Sequence, residues 1–457
     1  MKRSCYFLCL LLLLTACSTP PKPSEIPDVL PNTLSWQNQS GVSSEMNHTL
    51  LELIKDEDLK SVVQLALDNN HDLNATALRL EAQSLLLTET RSNMLPSVGV
   101  GLNKQRGNED LDIETLEYST KNDHKAYVAL DWELDLWGRL RDERRAGQRQ
   151  FESEQWNYKL ARDILATRVV EAWTNVIAYK NEVQIQKERL NAISDMEAII
   201  RKRYEKGLGD LSEIAAARSK RNLAEADYVG AKENVRRSMR SLELLIGDVP
   251  QATLVIGRDL PAIDMPPQDV PIDSLKHRSD VRAALATFKA SRLVASSAHK
   301  AKYPSLSLSL DAGKNSVDLD DLNSGKTLWN VLGSLTLPIY SGGRIQDTAE
   351  ARDLEATAEF LNLKQVLLKA LKEAEDAYGR EQKLCAQESL FKEALIESVK
   401  SREYFEKRYK KGLGSILDLL SAREEEMEIK SSLNSITAER ISNRVTLVLA
   451  LGISLEN

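Results

Sequence analysis

Five histidines, His48, His71, His124, His277 and His299, are the first candidates for metal or proton chemistry, and they are scattered along the chain. Their spacing gathers no set of ligands on one helix face, so no metal is expected. Of the four cysteines, Cys5 and Cys9 sit in an apolar leader, which leaves Cys17 and Cys385 as the mature thiols, too few for a disulfide framework. No nucleophile, base and metal constellation converges, so neither catalysis nor a cofactor is expected. The acids with informative spacing are Glu213 and Asp418, each six residues beyond the first glycine of a turn, Gly207-Leu208-Gly209 and Gly412-Leu413-Gly414. Asp210 with Glu213, and Ser415 with Asp418, have the spacing of a capping box, so both acids could simply close helix N-termini.

Cys17 carries a different chemistry. Lys2 and Arg3 precede an apolar run from Cys5 to Leu14, which Leu14-Thr15-Ala16-Cys17 closes with small residues. The run is too short to span a bilayer comfortably and reads as a signal peptide over residues 1–16. The tetrapeptide resembles a bacterial lipobox, which implies cleavage before Cys17 and lipid on its thiol and new amino group. An ordinary signal peptide with a chance cysteine is the alternative.

Long elements must position these residues. The 457 residues are 42% hydrophobic and 28% charged, which excludes a wholly disordered chain, and a net charge of −7 with a pI near 5.6 argues against a nucleic-acid binder. Prolines crowd two places, Pro20 to Pro31 and Pro250 to Pro271, and both read as extended linkers. Residues 148–206 contain neither Pro nor Gly, and as one helix they would span about 90 Å. Within them Ala166, Val169, Val170, Trp173, Val176 and Ile177 form a stripe at three- and four-residue intervals that needs a partner helix.

The halves on either side of the second proline cluster repeat each other. Arg203-Tyr204-Glu205-Lys206-Gly207-Leu208-Gly209 returns 205 residues later as Arg408-Tyr409-Lys410-Lys411-Gly412-Leu413-Gly414. Trp137-Gly138-Arg139 answers to Gly342-Gly343-Arg344, Gly247 to Gly452 and, after a three-residue adjustment, Asp72-Leu73 to Asp280-Val281. The chain therefore divides into the leader, an N-terminal extended segment at 17–58, repeat 1 at 59–250, a Pro-rich linker at 251–271 and repeat 2 at 272–457. Each repeat reads as helix, two strands, long helix, glycine turn and helix. The strands alternate apolar and polar residues over about ten positions, enough for tilted transmembrane strands, although a soluble sheet with one wet face has the same pattern. Four strands cannot close a barrel, whereas two copies would give eight and three would give twelve, and only the larger could hold a channel. Tyr127, Trp132, Trp137, Tyr303, Trp329 and Tyr340 lie along or at the ends of these strands, where an aromatic belt is expected. The acids Glu109, Asp110, Asp112, Glu114, Glu117, Asp318, Asp320 and Asp321 fall in strand-connecting loops, as solvation or as an ion filter.

The lipobox, the duplicated Arg-Tyr-x-x-Gly turns, the strand-to-helix glycine steps and His277-Arg278-Ser279-Asp280-Val281-Arg282-Ala283-Ala284 together resemble the TolC-like outer-membrane efflux factor family, in its lipoprotein branch. Ser279 stands where that family usually has Pro. The resemblance implies a mainly α protomer with a transmembrane β part, in which coiled-coil helices and four strands assemble as a homotrimer. It further implies a 12-stranded outer-membrane β-barrel continuous with a periplasmic α-helical barrel, held at the membrane by lipid on Cys17. The function implied is a passive exit duct working with a periplasmic adaptor and an inner-membrane RND-type transporter on drugs or other small molecules. A type I protein secretion outlet and a non-pore coiled-coil scaffold lipoprotein are the alternatives. The resemblance places Gly207, Gly209, Gly412 and Gly414 at the periplasmic tip. It places Glu213 and Asp418 near the closed aperture, where three copies of a carboxylate would make a cation-attracting ring, and matches Tyr409 to a tyrosine that ties neighbouring hairpins, with Glu213 as partner.

Overall fold

The computed structural model describes residues 49–111, 118–265, 272–319 and 323–455; the leader, Cys17 and the loop acids Asp112, Glu114, Glu117, Asp320 and Asp321 lie outside them. The described elements run α1 (Leu50–Leu53), α2 (Glu57–Asn69), α3 (His71–Ser92), β1 (Ser97–Leu111), β2 (Tyr118–Leu134), α4 (Arg139–Glu205) and α5 (Leu211–Ile246). A 3-10 turn (Ile272–His277) then leads to α6 (Ser279–Lys300), β3 (Ser305–Ser316), β4 (Lys326–Thr336), α7 (Arg344–Lys410) and α8 (Ile416–Ala450). The order helix, two strands, long helix, shorter helix occurs twice, and α4 and α7 are each 67 residues long. Both start at a glycine in the left-handed region, Gly138 at φ 80° and Gly343 at φ 84°, a conformation that a side chain would strain. This is the physical reason for the repeated glycine step between strand and helix.

The strands form one antiparallel sheet in the order β1-β2-β3-β4, which leaves β1 and β4 as edges. They have 15, 17, 12 and 11 residues, so β1 and β2 run well past the expected ten. Their extra length is a polar ladder in which Lys104 pairs with His124, Arg106 with Asn122 and Asn108 with Thr120. Polar residues on both faces erase the alternation that marks a strand in sequence. The register puts Val98, Val100, Val128, Leu130, Leu308, Leu310, Trp329, Val331 and Leu335 on one face. Tyr127 is out of phase with them and sits on the polar face, its ring 4.8 Å from Lys125 Nζ. It is therefore no part of an outward belt. Trp137 and Tyr303 pack on each other at the strand–helix junction, where Trp137 Nε1 donates to Pro304 O.

Beyond the sheet the helices form two tiers crossed by the long pair. Next to the strands the neighbours run α3, α4, α6, α7; farther away they run α5, α4, α8, α7. Short helices of the two tiers meet end to end at two seams. At the first, Asn70 Nδ2 donates to Leu245 O at the end of α5, while Asn70 Oδ1 accepts from Leu73 N in the first turn of α3. At the second, the buried Arg278 donates to Ala450 O of α8 and to Asp280 and Glu373, bridging α8, α6 and α7. Each side chain satisfies helix-end groups that would otherwise be orphaned. Gly247 and Gly452, at φ 84° and 78°, turn the chain away at these ends, and a Cβ on Gly247 would lie 2.5 Å from Asn69 O.

Candidate functional site at the hairpin tips

Each long helix ends in the repeated Arg-Tyr-x-x-Gly-Leu-Gly motif, and every constant residue has a task. Leu208 N donates to Arg203 O and Gly207 N to Tyr204 O, the pattern of a helix stop with a left-handed residue, here Gly207 at φ 73°. Leu413 N to Arg408 O, Gly412 N to Tyr409 O and Gly412 at φ 71° repeat it. The arginines close the turn from outside, Arg203 donating to Leu208 O at 3.2 Å and Arg408 to Leu413 O at 2.8 Å. Gly209 and Gly414 lie against the helix just ended, since a Cβ on them would come within 3.4 Å of Tyr204 N and Tyr409 N respectively. Leu208 and Leu413 are left 66% and 65% exposed at the two extremities.

The two tips belong to one end of the molecule. Ile193, Met196 and Ile200 of α4, Ala217 and Ala224 of α5, and Ile416, Leu419 and Leu420 of α8 form a shared apolar cluster. Tyr409 packs against this cluster and, within the chain, makes no hydrogen bond to Glu213. Lys220 of α5 and Glu424 of α8 add an exposed ion pair at 3.0 Å.

Glu213 and Asp418 occupy the third residue of α5 and α8, and the capping falls to their neighbours. Asp210 accepts from Ser212 N and Ser415 Oγ from Leu417 N, so neither capping box is closed. Among the described residues neither Glu213 nor Asp418 has a hydrogen-bond or ion-pair partner. Asp418 is exposed and Glu213 half-buried beside Gly209. Both carboxylates sit at the positive end of a helix dipole and remain available to a further cation.

The polar face of the sheet is the other place where charges collect. Lys125 Nζ is 2.7 Å from Asp311, Asn330 also reaches Asp311, and Ser309 donates to Asp131. Among the described residues no three His, Cys, Asp or Glu side chains come together to hold a metal.

Sequence reasoning missed the tip charges Glu197, Arg402 and Glu426 and the seam residues Asn70 and Arg278. For the seams the signal was present: Asn70 and Arg278 each stand two residues before the aligned aspartates Asp72 and Asp280.

Comparison with known proteins matches residues 62–248 and 270–453 to the outer membrane efflux protein family, one segment in each repeat. The toluene efflux pump outer membrane protein TtgF of Pseudomonas putida is 26% identical over 405 residues, 87% of this chain and 84% of its own. The cation efflux system protein CusC of Escherichia coli K12 is 24% identical over 453 residues, 97% of this chain and 98% of its own. Among solved structures, the Campylobacter jejuni outer membrane channel CmeC superposes with a TM-score of 0.83 at 25% identity, covering 93% of this chain and 92% of that one. The outer-membrane channel OprN superposes with a TM-score of 0.85 at 20% identity, covering 93% and 98%. Since the family match spans both strand pairs, both long helices and both glycine turns, the chain belongs to the outer membrane efflux protein family and is an outer-membrane protein with a periplasmic helical part.

Proposed function

We propose that the protein is the outer-membrane exit duct of a tripartite efflux pump, assembled from three copies and fed by a periplasmic adaptor and an inner-membrane RND-type transporter. The observation that carries the reading is the pair of open edges. Backbone groups on β1 and β4 cannot stay unpaired in lipid, and the single sheet offers no closure of its own. Pairing β4 of one copy with β1 of the next continues both the sheet and the exposed apolar face that carries Val98, Val100, Trp329 and Leu335. Three copies give the smallest barrel with room for a channel; two would fill their interior with side chains. Covalent lipid on Cys17 would anchor each copy in the outer membrane, and no bound cofactor or chemical step is needed for a passive duct. The cargo class is drugs or other small molecules. Relatives named for toluene and for cations match at nearly the same identity, so similarity alone selects neither cargo.

Protein purified from outer membranes should have the native mass of three copies, carry lipid on an N-terminal Cys17 and conduct ions in a planar bilayer. A monodisperse monomer without conductance overturns the duct, and an unmodified Cys17 overturns the anchor.

A further inference from the structure

Each hairpin carries, near its tip, one carboxylate with almost no exposure: Glu197 on α4 at 5% and Glu426 on α8 at 4%. Glu197 is met across its hairpin by Arg221 of α5, Nε to Oε2 3.1 Å, with Arg201 at 2.7 Å and Arg218 at 3.7 Å. Glu426 is met across its hairpin by Arg402 of α7 at 2.5 Å, with Lys430 at 2.7 Å. Glu197 and Arg402 are 205 residues apart, and so are Arg221 and Glu426, which is the offset of the tip motifs. The same bridge therefore stands in the same place twice with its polarity reversed. The acid is on the long helix in hairpin 1 and on the short helix in hairpin 2.

The apolar residues around the bridges do not distinguish the hairpins. At the same offset Ile200 answers to Phe405, Ile214 to Leu419 and Ala217 to Ala422, each pair interchangeable in an amphipathic stripe. Yet α4 packs against both short helices, α5 on one side and α8 on the other, so a duplicated chain must choose which becomes the hairpin partner. If α4 took α8 as its hairpin partner, Glu197 would face Glu426; if α7 took α5, Arg402 would face Arg221. Burying like charges without compensation is among the largest penalties a helix contact can carry. We propose that the polarity-reversed pair Glu197–Arg221 and Arg402–Glu426 determines which short helix each long helix accepts, so that the two repeats fold side by side without exchanging helices. The inference concerns pairing within one chain and stands apart from the transport reading.

The test uses the full-length protein with Cys385→Ser, Lys220→Cys and Glu424→Cys, because Lys220 and Glu424 touch across α5 and α8 only when both hairpins are correctly paired. A short bis-maleimide then reads that pairing. Glu197→Arg or Arg221→Glu alone should cut the cross-linked fraction roughly tenfold or more, as expected for an uncompensated buried charge. The double variant E197R/R221E rebuilds a bridge in hairpin 1 but gives both hairpins one polarity, and its cross-linking should remain low. The quadruple variant E197R/R221E/R402E/E426R restores opposite polarities and should recover the parent level. A double variant that cross-links like its parent, or a quadruple variant no better than the double, overturns the proposal.

Discussion

Asp418 is a carboxylate with no partner in its own chain, on the third residue of α8 beside an exposed tip. With the cap in the hands of Ser415, the two functions of this corner can be separated by mutation. Asp418→Ala should lose only the dipole contribution, about 0.3–1 kcal/mol, whereas Ser415→Ala should cost about 1 kcal/mol of helix stability. If three copies of Asp418 ring the aperture, Asp418→Ala and Asp418→Asn should both lower cation selectivity and block by multivalent cations, because charges interact strongly in a narrow, poorly hydrated ring. Planar-bilayer recordings in mixed salts check this, and unchanged selectivity in both variants removes Asp418 from the aperture. At this scale the sequence was legible wherever backbone geometry demands a residue type. Gly207 and Gly412 stand out because only glycine enters the left-handed region without strain, and the repeat exposes them twice. Glu197 and Arg402 were not legible, since a charge on a charged helix looks like a solvated face until burial reveals it.

The hairpin α7–α8 is held by carboxylates buried between guanidinium and ammonium groups, and this gives it a pH dependence of definite sign. Burial pushes the Glu426 carboxyl up, but hydrogen bonds and charge from Lys430 and Arg402 outweigh burial, so its pKa falls below the ordinary 4.5. Glu388 behaves alike: burial again opposes, and Lys392 with Arg440 lowers it from 4.5. A carboxyl whose folded pKa lies below its unfolded value stabilises the fold fully above the unfolded value. That stabilisation is lost as pH falls through the folded one. Thermal unfolding followed by helical circular dichroism should be flat from about pH 7 to about pH 5.5 and drop below about pH 4.5, with Glu426→Gln showing a shallower acid limb. An acid limb identical in the variant would remove Glu426 from this role. The long helices and glycine steps were readable from composition and repetition. The seams were not, because Asn70 and Arg278 do the same work with different chemistry, one neutral amide and one charged fork.

For the whole molecule the decisive feature is that both tiers and the sheet end in unpartnered edges. Beside the strands the outer helices are α3 and α7, and each shows leucines to solvent at seven-residue spacing, Leu78 and Leu85 on α3, Leu354, Leu361 and Leu368 on α7. Seven-residue spacing is the signature of a seam that expects a second helix. The edges α3 and β1 lie on one flank, and β4 and α7 on the other. Two copies related head to tail would therefore pair strand with strand and leucine row with leucine row in one operation, and the ring closes when the rotation closes. Burying one leucine contributes about 1.5–3 kcal/mol, and a ring of three copies repeats that gain at three contacts. Leu361→Glu should consequently leave the helical content of the single chain intact, because Leu361 is exposed within it, while the native mass in mild detergent shifts from three copies to one. Val98→Glu on the sheet edge should act in the same direction by placing a charge in the lipid-facing band. Intact assemblies in the Leu361→Glu variant would show that α7 does not form the contact between copies, and ring closure would then have to rest on the strands alone.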